Sequence, residues 1–294
     1  MNRTGEMRRE AGIGRLRLAA RCALVLLAGT VSAAFSFDQL FVPKKELWPV
    51  WRAEGTRQAP VVDHRPWDDW LQKYHRLSDD GIARIAYGAV TPGDRQALAD
   101  YVDDLQGVPI RQYPRPVQWA YWVNLYNART VLLILEHDGV DSIRDIKISP
   151  GLFKVGPWGK KLLTVEGEKL SLNDVEHRIL RPIWDDPRIH YAVNCAALGC
   201  PNLQPVAFTP ENAEQLLDAA ARAYVNHPRG VRIDGGELYT SSIYRWFKAD
   251  FGHNSRDVIA HLRRYAEPPL AEQLDTLTYI KGDTYDWALN RAPL

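Results

Sequence analysis

Cysteine and histidine side chains are concentrated in one short stretch of this sequence, between residues 176 and 201. His177, His190, Cys195 and Cys200 fall within it, whereas the other six of the eight histidines are scattered. A free thiol is only slightly ionised at neutral pH, so a nucleophilic cysteine needs a base or a cation nearby. One interpretation of these residues is therefore nucleophilic catalysis, with Cys195 as the thiol and His177, on the preceding helix, as its base.

Other polar side chains are assigned supporting roles at this predicted site. His190 is expected to act as a second base or as a donor to an oxyanion. Glu176 is expected to orient His177. Asn124 or Asn127, two amides within a long apolar helix, would orient or polarise the same group, because buried amides need hydrogen-bond partners.

The segment before Cys195 is predicted to be a strand over residues 188–194, because apolar and polar residues alternate there. On a strand, His190 and Cys195 would point to opposite faces. The two side chains could then meet only if Cys195 lies beyond the strand, at a helix start formed by Ala196 and Ala197.

Two other interpretations of these residues stay open from the sequence. His177, His190, Cys195 and Cys200 are all of types that bind zinc, although two cysteines five positions apart are not a usual zinc spacing. Alternatively, Cys195 and Cys200 form a small-loop disulfide, and the histidines are hydrogen-bonded interior groups.

The elements that must position these residues follow from periodicity. Apolar residues at helical spacing predict a helix beginning at Trp67, another from Thr91 to Gly107, and a long one over Val117–His137. Ser171 or Asn173 is expected to cap a helix over Asp174–Leu180 that Pro182 ends. Further helices are predicted over Asn212–Tyr224, Tyr244–Asp250 and Asp257–Tyr265.

Turn residues between short β-prone runs predict two hairpins, one turning at Glu166-Gly167 and one at Gly235-Gly236. A short helical turn is expected near Ser142, and a strand-like tail at Leu277–Ile280. The pattern predicts a single α+β domain with a mostly antiparallel sheet and several helices.

The N-terminus has the layout of an export signal. Six arginines within residues 1–21 precede an apolar run that ends in small residues, which is typical of a secretory signal peptide. We predict a signal peptide over 1–34, an N-terminal arm over 35–65 and the main domain over 66–294. The mature protein is expected to be periplasmic or extracellular, without a transmembrane segment, because no other run reaches the length that a bilayer requires.

The charge composition of the chain bears on the kind of partner that it could bind. Removing residues 1–34 takes away six arginines and two glutamates and changes the net charge from +1 to −3. A near-neutral chain with both signs interspersed does not favour a nucleic-acid partner. Glycine-rich nucleotide motifs and the G-x-S-x-G motif of serine hydrolases are absent from the sequence, and we expect no cofactor and no metal.

Several separate blocks of the sequence resemble an uncharacterised family, domain of unknown function 547 (DUF 547), over about residues 119–290. The resemblance implies that the positions of His177, His190 and Cys195 recur in the family, while that of Cys200 can be serine. It therefore favours a reactive thiol over a disulfide or a metal site. The blocks are Tyr121–Ala128, Ser171–Arg181, Asp186–Ala196, Gly199–Pro201 and Tyr285–Asn290.

These observations together predict an exported thiol-dependent hydrolase or acyltransferase that acts on peptide or other amide bonds of the cell envelope. The histidine precedes Cys195 in the chain, so a cysteine-peptidase or transglutaminase-like core would have to be permuted. The alternative is a non-catalytic envelope module that binds peptide in an aromatic-lined groove, with the histidines and cysteines as packing.

Overall fold

The computed structural model describes residues 43–151 and 155–293 of the chain. The predicted signal peptide and the beginning of the predicted arm lie outside the described residues. Helices predominate among the described residues. The helices are α1 (Arg65–Tyr74), α2 (Pro92–Gln106), α3 (Arg115–Glu136), α4 (Leu172–Asp174), a π-helix (Val175–Leu180), α5 (Arg181–Trp184), α6 (Ile189–Ala192), α7 (Ala213–Val225), α8 (Ile243–Trp246), α9 (Lys248–Phe251), α10 (Ser255–Tyr265) and α11 (Pro268–Asp275).

The strands form three small sheets in the described part of the chain, where the sequence had led us to expect one. Two are antiparallel hairpins, and the third adds a parallel strand to a hairpin. The α+β class predicted from the sequence is confirmed. The pairs are β1 (His75–Leu77) with β2 (Ala83–Ile85), β3 (Leu163–Val165) with β4 (Glu168–Leu170), and β5 (Val231–Asp234) with β6 (Glu237–Ser241), which also pairs with β7 (Gly282–Thr284).

The predicted amphipathic helices are confirmed. The apolar face of α1 that begins at Trp67 is buried. Thr91 caps α2 by accepting a hydrogen bond from the backbone N–H of Asp94, and Gly107 follows its end. Helix α3 is buried along most of its length because it lies in the middle of the larger core, with Trp122 packed edge-on against Trp51 at 5.0 Å.

Pro182 does not end its helix, contrary to the prediction. The chain passes through a π-helix before Pro182 and continues to Trp184. Proline has no N–H to donate, so position 182 can bond neither the Arg178 carbonyl, its α-helical partner, nor the His177 carbonyl, its π-helical partner. The incoming N-terminal segment supplies them: Glu46 N–H donates to the carbonyl of His177 and Trp48 N–H to that of Arg178, both at 3.0 Å.

The predicted strand over residues 188–194 is wrong, since α6 occupies that segment. Asp186 accepts a hydrogen bond from the backbone N–H of Arg188 at 2.8 Å, and Pro187 fixes the backbone for a helical turn. Short apolar runs do not distinguish a strand from a buried helical turn.

No helix begins after Cys195 either. Ala196 is left-handed, with φ of +59°, and Ala197 forms an isolated β-bridge to Leu289. The predicted strand at Leu277–Ile280 is also wrong, because the strand is β7, which pairs with the free edge of β6.

The buried hydrophobic residues in the described part of the chain form two clusters. The larger surrounds α3 and includes Trp51, Trp67 and Phe208. The smaller is rich in tyrosine and lies among α7, α10 and β6, with Tyr191 and Tyr224 fully buried. Of the helices in the described ranges, none combines the length and apolar composition that a bilayer crossing requires.

Candidate functional site

Cys195 and Cys200 are joined by a disulfide. The two cysteine residues differ in exposure: Cys200 is only 4% exposed, whereas Cys195 is partly exposed. The backbone N–H of Cys195 also donates a hydrogen bond to Sγ of Cys200 at 2.9 Å. The cysteine that we predicted to be reactive is therefore the more exposed residue of a bonded pair.

The loop that carries the disulfide is held by the C-terminal segment. The N–H groups of Leu198 and Gly199 donate to the carbonyls of Ala288 and Asp286, both at 2.8 Å. A Cβ at Gly199 would lie 2.7 Å from the backbone nitrogen of Asp286, so only glycine permits this approach. The segment that follows β7 is thereby aligned against the disulfide.

Tyr285, in that C-terminal segment, contacts both sulfurs. Its hydroxyl lies 3.0 Å from Sγ of Cys195 and donates to Sγ of Cys200 at 3.2 Å. Burial raises the pKa of Tyr285 well above its usual value, and the neighbouring Tyr224 and Glu176 add to the increase. Tyr285 is therefore a neutral hydrogen-bond donor near neutral pH.

A buried cluster of charged and imidazole groups lies around Glu176. The Nδ1 atoms of His177 and His190 are 3.8 Å and 3.7 Å from Oε1 of Glu176. Arg181 donates to Nδ1 of His177 at 3.0 Å and, through Nε, to Asp250 at 2.6 Å. We call these five residues the Glu176 cluster.

The π-helix explains part of this arrangement. The wider turn runs from Glu176 to Arg181, and the His177 and Arg181 side chains, four residues apart, meet as neighbours on one helix face. The backbone N–H of Arg181 bonds to the carbonyl of Glu176, five residues earlier. Glu176, His177 and Arg181 thus come from one helical turn, while His190 comes from α6 and Asp250 from α9.

The pKa values of the two carboxyl groups in the cluster, Glu176 and Asp250, are shifted in opposite directions. Burial raises the pKa of Glu176 to about 7, against the charge of Arg181 and the hydrogen bond that Tyr126 donates at 3.2 Å. Burial would also raise the pKa of Asp250, but hydrogen bonds from His190 and Arg181 hold it well below its usual value. Near neutral pH, Asp250 is an anion, and Glu176 gains and loses a proton.

Both histidines of the cluster are neutral near pH 7. Burial lowers the pKa of His177 well below its usual value, and the charge of Arg181 lowers it further. Burial also lowers the pKa of His190, although its hydrogen bond to Asp250 (2.7 Å) opposes this. His190 donates that bond from Nε2, which leaves Nδ1 facing Glu176, without a hydrogen-bond partner among the described residues.

Four partly exposed aromatic residues contact one another, and one of them, Tyr285, contacts the disulfide. Trp246, Tyr285 and Trp287 contact one another with ring centroids 4.7 to 5.6 Å apart, and Trp158 contacts Trp287 at 5.7 Å. We call these four residues the aromatic cluster. Phe247, next to Trp246 in the chain, stacks on the imidazole of His190 at 4.1 Å.

The two amide side chains of α3, Asn124 and Asn127, form hydrogen bonds with backbone groups. Asn124 accepts from the N–H of Phe208 at 3.0 Å and donates to its carbonyl at 2.8 Å. Asn127 accepts from the N–H of Asn194 at 2.8 Å and donates to the carbonyl of Ala192 at 2.9 Å. Asn127 therefore fixes the residues that lead into Cys195.

The structure brings together three of the residues chosen from the sequence, namely Glu176, His177 and His190. The hydrogen bonds of Cys195 among the described residues are to Cys200 and Tyr285, and neither histidine takes part.

Sequence reasoning missed Arg181, Asp250 and Tyr285. Arg181 and Tyr285 lay within the blocks that carried the family resemblance, which could have indicated them. Asp250 had no such signal, because it comes close only through folding.

The described residues contain no group of three or more histidine, cysteine, aspartate or glutamate side chains arranged to bind a metal ion. Arg181 instead supplies the positive charge within the Glu176 cluster.

Comparisons with known proteins cover part of this site. The searches of curated proteins and of solved structures found no match. A family model covers the segment that contains the disulfide and the Glu176 cluster except Asp250, whereas Tyr285 lies beyond it. Residues 110–225 match the model described as protein of unknown function, DUF547, and the family resemblance seen in the sequence is confirmed over that segment.

Proposed function

We propose that this protein is an exported thiol-dependent hydrolase or acyltransferase that acts on peptide or other amide bonds through Cys195. The observation that carries the proposal is the position of Cys195. It is partly exposed, lies 3.0 Å from the hydroxyl of Tyr285, and borders the aromatic cluster. Reduction of the disulfide frees its thiol for attack on a carbonyl carbon.

The surroundings of Cys195 fit such a reaction. A hydrogen bond from Tyr285 would stabilise a thiolate at Cys195, because hydrogen bonds to charged acceptors are stronger than neutral ones. Glu176, with a pKa of about 7, would exchange the proton that moves to the leaving group. His177 and His190, both neutral, place their Nδ1 atoms 3.8 Å and 3.7 Å from this carboxyl group.

The aromatic cluster is the proposed substrate surface. Trp246, Tyr285 and Trp287 present partly exposed rings beside the disulfide loop. Aromatic side chains supply large contact area at small cost in side-chain entropy, which suits an extended peptide. Peptides of the cell envelope are the proposed substrates because the N-terminal sequence is typical of an export signal.

The test uses the reduced protein and an activated ester, 4-nitrophenyl acetate, because an acyl-enzyme forms faster from it than from an amide. We expect a burst of nitrophenol, an acetyl group on Cys195 by peptide mapping, and loss of both in Cys195→Ser. Cys200→Ser is the matched control and should keep the burst. Release of nitrophenol at the native rate by Cys195→Ser would exclude Cys195 as the nucleophile.

A second candidate function is non-catalytic binding of a peptide by the aromatic cluster, with the disulfide as a structural link. The mutual contacts of Trp158, Trp246, Tyr285 and Trp287 favour it, because such a surface can bind ligand without any reaction. Binding of envelope peptides by Cys195→Ser that equals native binding, in a protein without the burst, would support this candidate instead.

A further inference from the structure

The two sulfurs of the disulfide have different hydrogen-bond environments. The backbone N–H of Cys195 donates to Sγ of Cys200 at 2.9 Å, and the Tyr285 hydroxyl, whose single proton can reach either sulfur, lies 3.2 Å from Sγ of Cys200 and 3.0 Å from Sγ of Cys195. Sγ of Cys195 has the Tyr285 hydroxyl as its hydrogen-bond partner within the described ranges. The buried sulfur is therefore better placed to carry a negative charge.

Exposure has the opposite order. Cys195 is partly exposed, and Cys200 is 4% exposed. In thiol–disulfide exchange, a thiolate attacks one sulfur and the other leaves as a thiolate, so the rate depends on access to the first and on stabilisation of the second. Both conditions favour attack at Sγ of Cys195 with Cys200 as the leaving thiolate.

We infer that Cys195 is a site of reversible modification by small thiols, which open its disulfide while Cys200 leaves as a hydrogen-bonded thiolate. The external thiol loses its proton to solvent and forms a bond to Sγ of Cys195. The bond between the two cysteines breaks, and its electron pair remains on Sγ of Cys200. The net products are a mixed disulfide at Cys195 and a thiolate at Cys200.

The reverse step restores the disulfide. The Cys200 thiolate attacks Cys195 and expels the small thiol, so no oxidant is consumed. If a second thiol attacks the mixed disulfide at the added sulfur, Cys195 is released as a free thiol and a small-molecule disulfide leaves. The exchange thus controls the sulfur on which the proposed function depends, but it requires no amide or ester chemistry of its own.

The glycine that fits the loop against the C-terminal segment contributes to this device. Gly199 brings the chain against Asp286, next to Tyr285, and the Tyr224 hydroxyl donates to the Gly199 carbonyl at 2.6 Å. Cys200 and its donor are therefore held by two segments far apart in sequence. Unfolding would remove the donors and make the two sulfurs nearly equivalent.

The first experiment treats the oxidised protein with reduced glutathione, stops the reaction with acid and maps the adducts by mass spectrometry. We expect glutathione on Cys195 in at least roughly tenfold excess over Cys200, because burial limits attack at the second sulfur. In guanidinium chloride the two adducts should form in similar amounts. Equal labelling of the native protein, or an excess on Cys200, would overturn the inference.

The second experiment tests the donor. Tyr285→Phe should open roughly three- to tenfold more slowly, because the leaving thiolate loses one of its hydrogen bonds. Tyr279→Phe is the matched control, since Tyr279 is 51% exposed and its hydroxyl faces Glu237. Opening of Tyr285→Phe at the native rate would show that Tyr285 does not stabilise Cys200.

The two proposals fail separately. Glutathione adducts on Cys195 without any acetyl adduct from the ester would retain the exchange site and reject the enzyme. An ester burst from the reduced protein, together with no selective glutathione adduct on the native disulfide, would retain the enzyme and reject the exchange site.

Discussion

The backbone N–H of Trp48 donates a hydrogen bond of 3.0 Å to the carbonyl oxygen of Arg178. That carbonyl is the one that the N–H at position 182 would satisfy in an α-helix, and proline leaves it free. The side chains add to this contact, since the Arg178 guanidinium lies 4.4 Å from the Trp48 ring centroid. The N-terminal segment thus completes the helix that carries Glu176 and His177.

Trp48→Ala is predicted to lower the free energy of unfolding by about 2 kcal/mol, because it removes the cation–π contact and the edge-on contact with Trp51. Val61→Ala is the control within the same segment. Val61 is 81% exposed, so its change should stay within about 0.5 kcal/mol. Urea denaturation measures both, and equal effects would mean that the Trp48 contact contributes nothing to stability.

Asp250→Asn is predicted to destabilise the protein by about 3 kcal/mol. The substitution leaves Arg181 as a buried cation without its anionic partner, and removing one member of a buried ion pair is costly. Asp185→Asn is the matched control, because Asp185 shares Lys45 with Asp250 but its side chain is 77% exposed. Denaturation of the two variants side by side decides the matter, and a mild Asp250→Asn effect would contradict the buried pair.

Some features of this structure could be predicted from the sequence, and others could not. Helices α1, α2 and α3 could be predicted because their apolar residues repeat at helical spacing and Thr91 is a strong cap. Local patterns of this kind are set by neighbouring residues. Asp250 meets Arg181 only through the tertiary fold, and local sequence carries no record of such a contact.

The errors have the same physical origin. Residues 188–194 alternate like a strand, but Asp186 and Pro187 start a helical turn within a short apolar run. Pro182 is normally a terminator, yet the N-terminal segment satisfies the carbonyls that it leaves free. In the first case a nearby capping residue outweighed the local pattern. In the second, backbone N–H groups from a segment distant in sequence did so.

Glu176→Gln is predicted to change the pH dependence of stability. The pKa of Glu176 rises from an ordinary value near 4.5 in the unfolded chain to about 7 in the folded protein. A raised folded-state pKa stabilises the protein fully below pH 4.5, and that contribution is lost as the pH rises through 7. Glutamine keeps the neutral form, so between pH 4.5 and 8 the variant should gain about 3 kcal/mol relative to the native protein.

Urea denaturation at the two pH values measures this difference. Glu237→Gln is the control: Glu237 is paired with Lys281, which lowers its pKa, so the variant should show no such gain. A constant difference between Glu176→Gln and the native protein would mean that Glu176 titrates near its usual pKa.

Gly199→Ala is predicted to separate the disulfide loop from the C-terminal segment. An added Cβ would lie 2.7 Å from the Asp286 nitrogen and 2.8 Å from its carbonyl oxygen, and backbone cannot yield there without moving Tyr285. We expect a loss of about 2 kcal/mol in the free energy of unfolding, as for other overpacked buried sites. Gly93→Ala is the matched control, since its new Cβ would be no closer than 3.9 Å to a neighbour, and its stability should stay near native. If Tyr285 moves as expected, its nitration, mapped by mass spectrometry, will change in Gly199→Ala alone, and unchanged stability with unchanged nitration would show that the loop adapts without disturbing the site.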